Sequence, residues 1–125
     1  MKALVIVAHG SRRQASNDEV VTLSKHIEEQ MKSEYPIIET GFLELAEPLI
    51  PNAIDNCVKQ GATDICVVPY FLSAGRHVQE DVPTEVEKTR EIHPEIPMEV
   101  LLHIGGSSMM IDLISNSVMN RTNQK

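Results

Sequence analysis

Histidines and a carboxylate stand at one kind of place in this chain, just beyond apolar runs. The run Ala3–Ala8 leads straight into His9–Gly10–Ser11–Arg12, and a second, Ile37–Leu43, ends at Glu44. A third, Asp64–Val68, is followed by a loop holding Ser73–Ala74–Gly75–Arg76–His77; a fourth, Met98–Leu102, by His103–Ile104–Gly105–Gly106. Two imidazoles and one carboxylate make a borderline donor set suited to divalent first-row metals. Imidazole also titrates near pH 6.5, so the same groups can take up protons once neutral. The sequence has no H-E-x-x-H, no metal-type cysteine pair and no calcium-loop spacing, so the implied site is open rather than a cage. An open site can hold an ion and hand it on. Other chemistry fares worse: there is no G-x-x-x-x-G-K-[ST], no G-x-G-x-x-G after the first run, and no G-x-S-x-G around Ser11. A phosphoryl-transfer reading with His9 as nucleophile lacks the expected Arg before it, since Ala8 stands there.

The elements that must position these residues follow from periodicity. Ala3–Ala8 is β-branched and apolar throughout, as in a strand buried on both faces. Ser16–Asn17–Asp18–Glu19 reads as a capping box ahead of a helical stripe at Val20, Leu23, Ile27 and Met31. Pro36 stops that helix, and Ile37–Leu43 is the second strand. Pro48 marks the start of a helix with the face Ile50, Ala53, Ile54, Cys57 and Val58, closed by Gly61. Asp64–Val68 is the third strand, ended by Pro69. A helix over roughly Gln79–Ile92 follows, with Pro83 either in its first turn or bending it, and Pro94 beyond its end. Met98–Leu102 is the fourth strand, and Ser107 or Ser108 caps a last helix through Met119. Strands alternating with helices predict a single doubly wound, flavodoxin-like four-stranded parallel sheet with helices on both faces. The domain spans residues 1–120, and 121–125 form a frayed polar tail. Ligands of such sheets sit beyond the carboxyl ends of the strands, where the winding reverses. If strands one and three flank that point, His9 and His77 face each other, with Glu44 on the next strand.

Composition narrows the partners. The 125 residues carry 11 Lys and Arg against 18 acidic residues, a net charge of −7, with no basic run. Nucleic acid and anionic membrane surfaces are therefore not expected partners. The longest apolar stretch is far too short to span a bilayer and no cleavage signal follows it, which reads as cytoplasmic. Cys57 and Cys66 make no disulfide framework and fall on apolar positions, as buried thiols do.

Ion delivery and proton removal are the two operations that metallating a tetrapyrrole requires, since the ring loses two N–H protons as M²⁺ enters. The motifs Val7–Arg12, Phe42–Pro48, Gly61–Ala62–Thr63 with Val67–Leu72, and Gly75–Arg76–His77 with Asp81–Val82–Pro83 resemble those of class II sirohydrochlorin chelatases. The nearest pattern is the short, single-domain form, the small CbiX-type cobaltochelatase. The resemblance implies a chelatase-like half-domain performing ATP-independent insertion of Co²⁺, Fe²⁺ or Ni²⁺ into sirohydrochlorin, without an organic cofactor. It matches His9 and His77 to the catalytic, metal-binding histidines and Glu44 to the acidic residue that assists metal binding. Longer relatives carry two such domains around a cleft, so it also implies a homodimer that rebuilds the cleft. The chain departs from some short archaeal relatives in lacking their His-rich insertion.

Each assignment has a plainer alternative. Glu44 or Glu47 could merely cap the helix after Pro48. Ser11, Arg12 and Arg76 are candidates for the substrate carboxylates, through backbone N–H groups or charge, or else they are solvated loop tips. His103 stands on the cleft rim or makes a structural hydrogen bond. His26 and His93 read as surface residues, and Glu80 and Asp81 as favouring the third helix's dipole. Met109 and Met110 fill the core or a dimer contact, and the last helix, with Leu113, Ile114 and Val118, is the candidate interface. A non-enzymatic metal-binding or delivery protein using the same residues is the alternative function.

Overall fold

The computed structural model describes residues 1–73 and 75–121, apart from the side chains of residues 77 and 78. The chain forms β1 (Lys2–Ala8), α1 (Gln14–Met31), β2 (Ile37–Phe42), α2 (Ile50–Lys59), β3 (Asp64–Pro69), α3 (Val82–Ile92), β4 (Met98–Val100) and α4 (Met109–Met119). A π-helical turn, His77–Asp81, runs into α3, and a 3-10 turn, Ile104–Gly106, precedes α4. All strand pairs are parallel, in the order β2-β1-β3-β4. This is the α/β sheet that the alternating periods predict. The winding reverses between β1 and β3, so the crevice lies above that pair.

The two faces of the sheet are covered unequally. Ala3, Val5 and Val7 of β1 and Ile65 and Val67 of β3 pack with Ile50, Ala53, Ile54 and Cys57 of α2 and Val82 and Val86 of α3. On the opposite face only Leu4, Ile6 and Ile38 are buried, with Val20, Ile27 and Met31 of α1 against them. α4 covers neither face. None of its residues is buried, and the 104–106 turn is the one element it packs against substantially. Core filling by Met109 is thereby excluded, since its side chain is exposed.

Several boundaries differ from the sequence expectation for local reasons. α1 starts at Gln14 with Arg13 at its N-cap and no side-chain cap, so Ser16–Glu19 is not a capping box. Pro48 does not open α2. It lies before Leu49, the N-cap, behind a cis Glu47–Pro48 bond, and Pro51 occupies the first turn instead. Pro69 belongs to β3 because its Cα pairs with Val7, and β1 takes its next bond from the Tyr70 N–H at 2.7 Å. α3 begins at Val82 because residues 77–81 wind as a π-turn, although Pro83 does sit in its first turn. β4 is cut to three residues, with only the Leu101 N–H to Val67 carbonyl bond continuing it. His93 is no bare surface residue: its Nε2 lies 3.0 Å from Asp55 Oδ1, tying the end of α3 to α2. Of the proposed tail, residues 122–125 lie outside the described residues.

Cys57 and Cys66 fall on opposite faces of the sheet, and only Cys57 is fully buried. Burial, assisted by the charge of Glu39, pushes the Cys57 thiol up to about 12. A thiol raised in the folded state stabilises it fully below the ordinary value near ~8.5, and that contribution disappears as pH climbs towards 12. Cys57 is expected to resist iodoacetamide at pH 9 in the folded chain and to react on addition of urea, read by mass spectrometry. Equal labelling with and without urea would contradict this packing.

Candidate metal-binding site

The site grows out of main-chain pairing that continues past the strand ends. Beyond Ala8 and Phe42, the Leu43 N–H donates to the Ala8 carbonyl at 2.9 Å and the Glu44 N–H to the His9 carbonyl at 3.0 Å. The two segments can approach because Gly10 has φ +95°, and a Cβ there would lie 1.7 Å from the Glu44 carbonyl oxygen. On the other side Leu45 takes φ 66°, and the Phe42 N–H donates to the Pro48 carbonyl at 2.8 Å, which folds residues 43–48 back on the strand. His9 and Glu44 are thus held by backbone, not by loop chance.

Their side chains meet. His9 Nε2 lies 3.3 Å from Glu44 Oε1, with both side chains partly open to solvent, and His9 Nδ1 lies 3.0 Å from the Gly10 carbonyl oxygen. A carbonyl only accepts, so the second contact requires a hydrogen on Nδ1 and leaves the Nε2 lone pair towards the carboxylate. Lone pair and carboxylate repel unless a proton or a metal ion stands between them. Two donors about 2.0–2.1 Å from an ion at the tetrahedral angle lie about 3.3 Å apart, so the pair has the span of one coordination edge. Among the described residues no three His, Cys, Asp or Glu side chains gather closely enough to hold a metal. The pair is an incomplete, open site.

Glu44 also lines a hollow of about 190 Å³ with Leu43, Asp81, Thr84 and Glu85. That hollow joins the end of β2 to the start of α3, and three of its residues are carboxylic. Asp81 reads from the sequence as a dipole partner for α3 and as part of the resembling motif Asp81–Val82–Pro83, and Thr84 and Glu85 carry no sequence signal. His77 opens the π-turn after β3, the strand beside β1, so its backbone stands on the same rim as His9; its side chain lies outside the description. Arg12 and Arg76 are exposed on the loops after β1 and β3. His103 precedes the 3-10 turn and lines a separate pocket of about 280 Å³ with Pro69, Gln79, Pro83 and Leu102.

One residue behind the site has no role of its own in the sequence reading. Asn17 is buried, its Oδ1 accepts from the Ser11 N–H at 2.9 Å, and its Nδ2 donates to the Ser11 carbonyl at 2.8 Å. The amide clamps the main chain two residues beyond His9. It also occupies the Ser11 N–H, which therefore does not await a substrate carboxylate. Helical spacing puts Asn17 on the same face as Val20, Ile27 and Met31, and a polar residue on a face turned to the core needs a partner.

The sequence profile of the CbiX family matches residues 3–121. The chain belongs to the CbiX family. It is 34% identical over 117 residues to the chloroplastic sirohydrochlorin ferrochelatase of Arabidopsis thaliana, covering 94% of this chain and 51% of that protein. It is 43% identical over 83 residues to the sirohydrochlorin cobaltochelatase of Methanocaldococcus jannaschii, covering 66% and 57%. The chain thus spans about half the length of these curated relatives. Among solved structures, the sirohydrochlorin chelatase SirB from Bacillus subtilis subspecies spizizenii, in complex with cobalt, superposes with a TM-score of 0.84 at 30% identity. That match covers 95% of this chain and 50% of SirB. A CbiX protein from Marinobacter aquaeolei VT8 shares the fold over 100% of both chains, with a TM-score of 0.79 at 24% identity.

The clamp is testable without any ligand. Gly10→Ala forces a Cβ into the Glu44 carbonyl at a positive φ and should cost upwards of ~2 kcal/mol. Asn17→Leu leaves the Ser11 amide and carbonyl without their partner and should cost about 1–3 kcal/mol. Urea midpoints read both, and two unchanged midpoints would mean the rim is not held this way.

Proposed function

We propose that the chain inserts a divalent metal, Co²⁺ or Fe²⁺ with Ni²⁺ as a further candidate, into sirohydrochlorin without ATP or an organic cofactor. The observation that carries this is the His9–Glu44 pair, an open coordination edge on the rim of a CbiX-family sheet. The relatives' names supply the substrate class, since they are sirohydrochlorin ferrochelatases and cobaltochelatases. Metal is substrate here, and a two-ligand edge suits an ion that must leave.

In this mechanism His9 and Glu44, joined by His77 from the loop after β3, hold M²⁺ beside one face of the macrocycle. The ring nitrogens take the ion in place of these ligands while two pyrrole N–H protons depart. The freed imidazoles of His9 and His77 accept those protons and pass them to water, so charge and protons balance. Arg12 and Arg76 on the rim loops meet ring carboxylates, with Ser11 contributing its hydroxyl side; His103, in its own pocket, stands further along the rim. Residues 1–120 act as one half-domain. A second copy supplies the opposite wall, because a flat macrocycle against a single rim keeps one side in water, whereas pockets bury most of a ligand. The reducing cytoplasm is the compartment we assign, as the two thiols lie on opposite faces of the sheet and are free. No helix among the described residues is long and apolar enough to cross a membrane.

Purified chain, sirohydrochlorin and Co²⁺ should give the absorption change of metallation at a rate above the uncatalysed one. His9→Ala and His77→Ala should each lower that rate at least ~100-fold, and Glu44→Gln by a smaller factor. Metal binding by the wild type with no acceleration would indicate a delivery protein instead. Full turnover in both histidine variants would remove these residues from the reaction.

A further inference from the structure

Two hydrogen-bond acceptors flank the His9 ring, the Gly10 carbonyl oxygen 3.0 Å from Nδ1 and Glu44 Oε1 3.3 Å from Nε2. A neutral imidazole carries one N–H and can donate to only one of them. The choice decides what the ring can do. A hydrogen on Nε2 serves the carboxylate and closes that nitrogen to an ion, whereas a hydrogen on Nδ1 leaves the Nε2 lone pair for it. The ionised carboxylate is the stronger acceptor, and an unconstrained histidine favours its hydrogen on Nε2. Keeping the hydrogen on Nδ1 therefore requires a carbonyl that is firmly held.

The Gly10 carbonyl and the Ser11 N–H are the two ends of one planar peptide. It is trans, since Glu47–Pro48 is the one cis bond among the described residues. In a trans peptide these groups point in opposite directions, so whatever holds the N–H also aims the carbonyl. Asn17 Oδ1 accepts that N–H at 2.9 Å, and Nδ2 donates to the Ser11 carbonyl at 2.8 Å. A backbone N–H only donates and a carbonyl only accepts, so the amide has a single possible orientation. It grips the peptide groups on both sides of Ser11, and the Arg13 N–H adds a third tie to Ser11 Oγ at 3.0 Å. Asn17 is 5% exposed in α1, where an amide without partners is costly, so the grip is not easily given up. A hydrogen bond at the N–H end also polarises the amide and makes its carbonyl a better acceptor. Glu44, by contrast, hangs on a rotatable side chain more than half exposed and can take its hydrogen bonds from water.

We propose that Asn17 is a positioning residue for His9: from behind the Gly10–Ser11 peptide it fixes the ring hydrogen on Nδ1 and reserves the Nε2 lone pair for the ion. This rests on the reading of His9 as a metal ligand above and adds what prepares that ligand. The relay runs from Asn17 Oδ1 through the Ser11 N–H and the Gly10 carbonyl to His9 Nδ1–H. A buried residue of α1 thereby sets the state of a side chain on the rim. Partners that orient a ligating imidazole through its other nitrogen also raise its basicity. The ion then meets a nitrogen that needs no rearrangement, and the same lone pair is ready for a proton once the ion has left.

The first test reads the ring itself, with neither metal nor tetrapyrrole present. In the chain labelled with ring-¹⁵N histidine at about pH 8, where imidazole is generally neutral, long-range ¹H–¹⁵N correlation tells the protonated ring nitrogen from the bare one. The signals that His9→Gln removes assign His9. The wild type should carry its hydrogen on Nδ1. Asn17→Leu should move it to Nε2, and the smaller Asn17→Val should do the same where leucine fails to pack. Asn17→Asp keeps an oxygen for the Ser11 N–H but loses the donor to the Ser11 carbonyl. It should lower the urea midpoint and still hold the hydrogen on Nδ1. A merely structural role would lower the midpoint in every variant and leave the tautomer alone. Co²⁺ affinity, measured by calorimetry without tetrapyrrole, should fall at least ~10-fold in the variant that loses the Nδ1 hydrogen. A wild-type hydrogen on Nε2, a folded Leu or Val variant that keeps Nδ1–H, an Asp variant that loses it, or a Co²⁺ affinity indifferent to the change would each overturn the proposal. Where the tautomers come out as expected, a wild type that neither binds Co²⁺ nor accelerates chelation would strike only the proposed function.

Discussion

Everything on the rim that carries His9 and Glu44 depends on β1 being paired along both of its edges. β1 is the one strand with a partner on each side in a full ladder, Ala3 to Ala8 against β2 and Lys2 to Val7 against β3. Six of its seven residues are buried, so its register cannot slip by one without turning Leu4 and Ile6 into the wrong core. The ladder does not stop at Ala8. It carries on through the Ala8 and His9 carbonyls into Leu43 and Glu44, and through Val7 into Tyr70. Residues that follow a strand usually inherit loop freedom. His9 and Glu44 inherit strand precision instead, and Gly10 is the condition for it.

That precision has a limit one loop further on. The connection from β3 to α3 winds residues 77–81 as a π-turn before Val82 and Pro83 settle into α3. π-turns are rare and recur at functional sites. A rigid half on β1 and β2 thus faces a half on a less regular turn. Under the proposed reaction that combination would serve an ion that must be gripped and then surrendered, with one edge fixed by backbone and His77 carried on the π-turn.

The sheet, its strand content and its helical faces were legible because they rest on period and on β-branching, which every residue reports locally. The rim was legible for the same reason, since it only required knowing where strands end. What the sequence concealed depended on contacts across the chain. Ser16–Glu19 has the letters of a capping box, yet α1 begins earlier because Asn17 is drawn inward to Ser11. Pro48 looks like a helix start, but the helix waits for Pro51 because residues 43–48 are folded back against Phe42. His93 carries no pattern that would announce Asp55, 38 residues away. α4 has an apolar stripe whether or not a sheet lies beneath it, so periodicity could not say that it covers neither face.

The charge of the chain sets two demands against each other under the proposed reaction. A net −7 draws M²⁺ and repels a macrocycle with eight carboxylates, and a single average field cannot serve both. The structure separates the signs over short distances. Carboxylates gather at the end of β2 and the start of α3, around Glu44, Asp81 and Glu85, while Arg12, Arg13 and Arg76 stand exposed on the loops after β1 and β3. With a Debye length of ~8 Å at physiological ionic strength, a bound ion or ring carboxylate senses these nearest groups far more than the chain's total. Under the proposed reaction the acidic hollow would concentrate the metal while the arginine tips met the ring. Salt weakens the second more than the first, because the arginines are exposed and the hollow is partly enclosed. The same partition would account for an open site rather than a cage: with carboxylates already raising the local concentration of cations, the His9–Glu44 edge and His77 would suffice to position the ion, and a closed cage would hold it back from the ring.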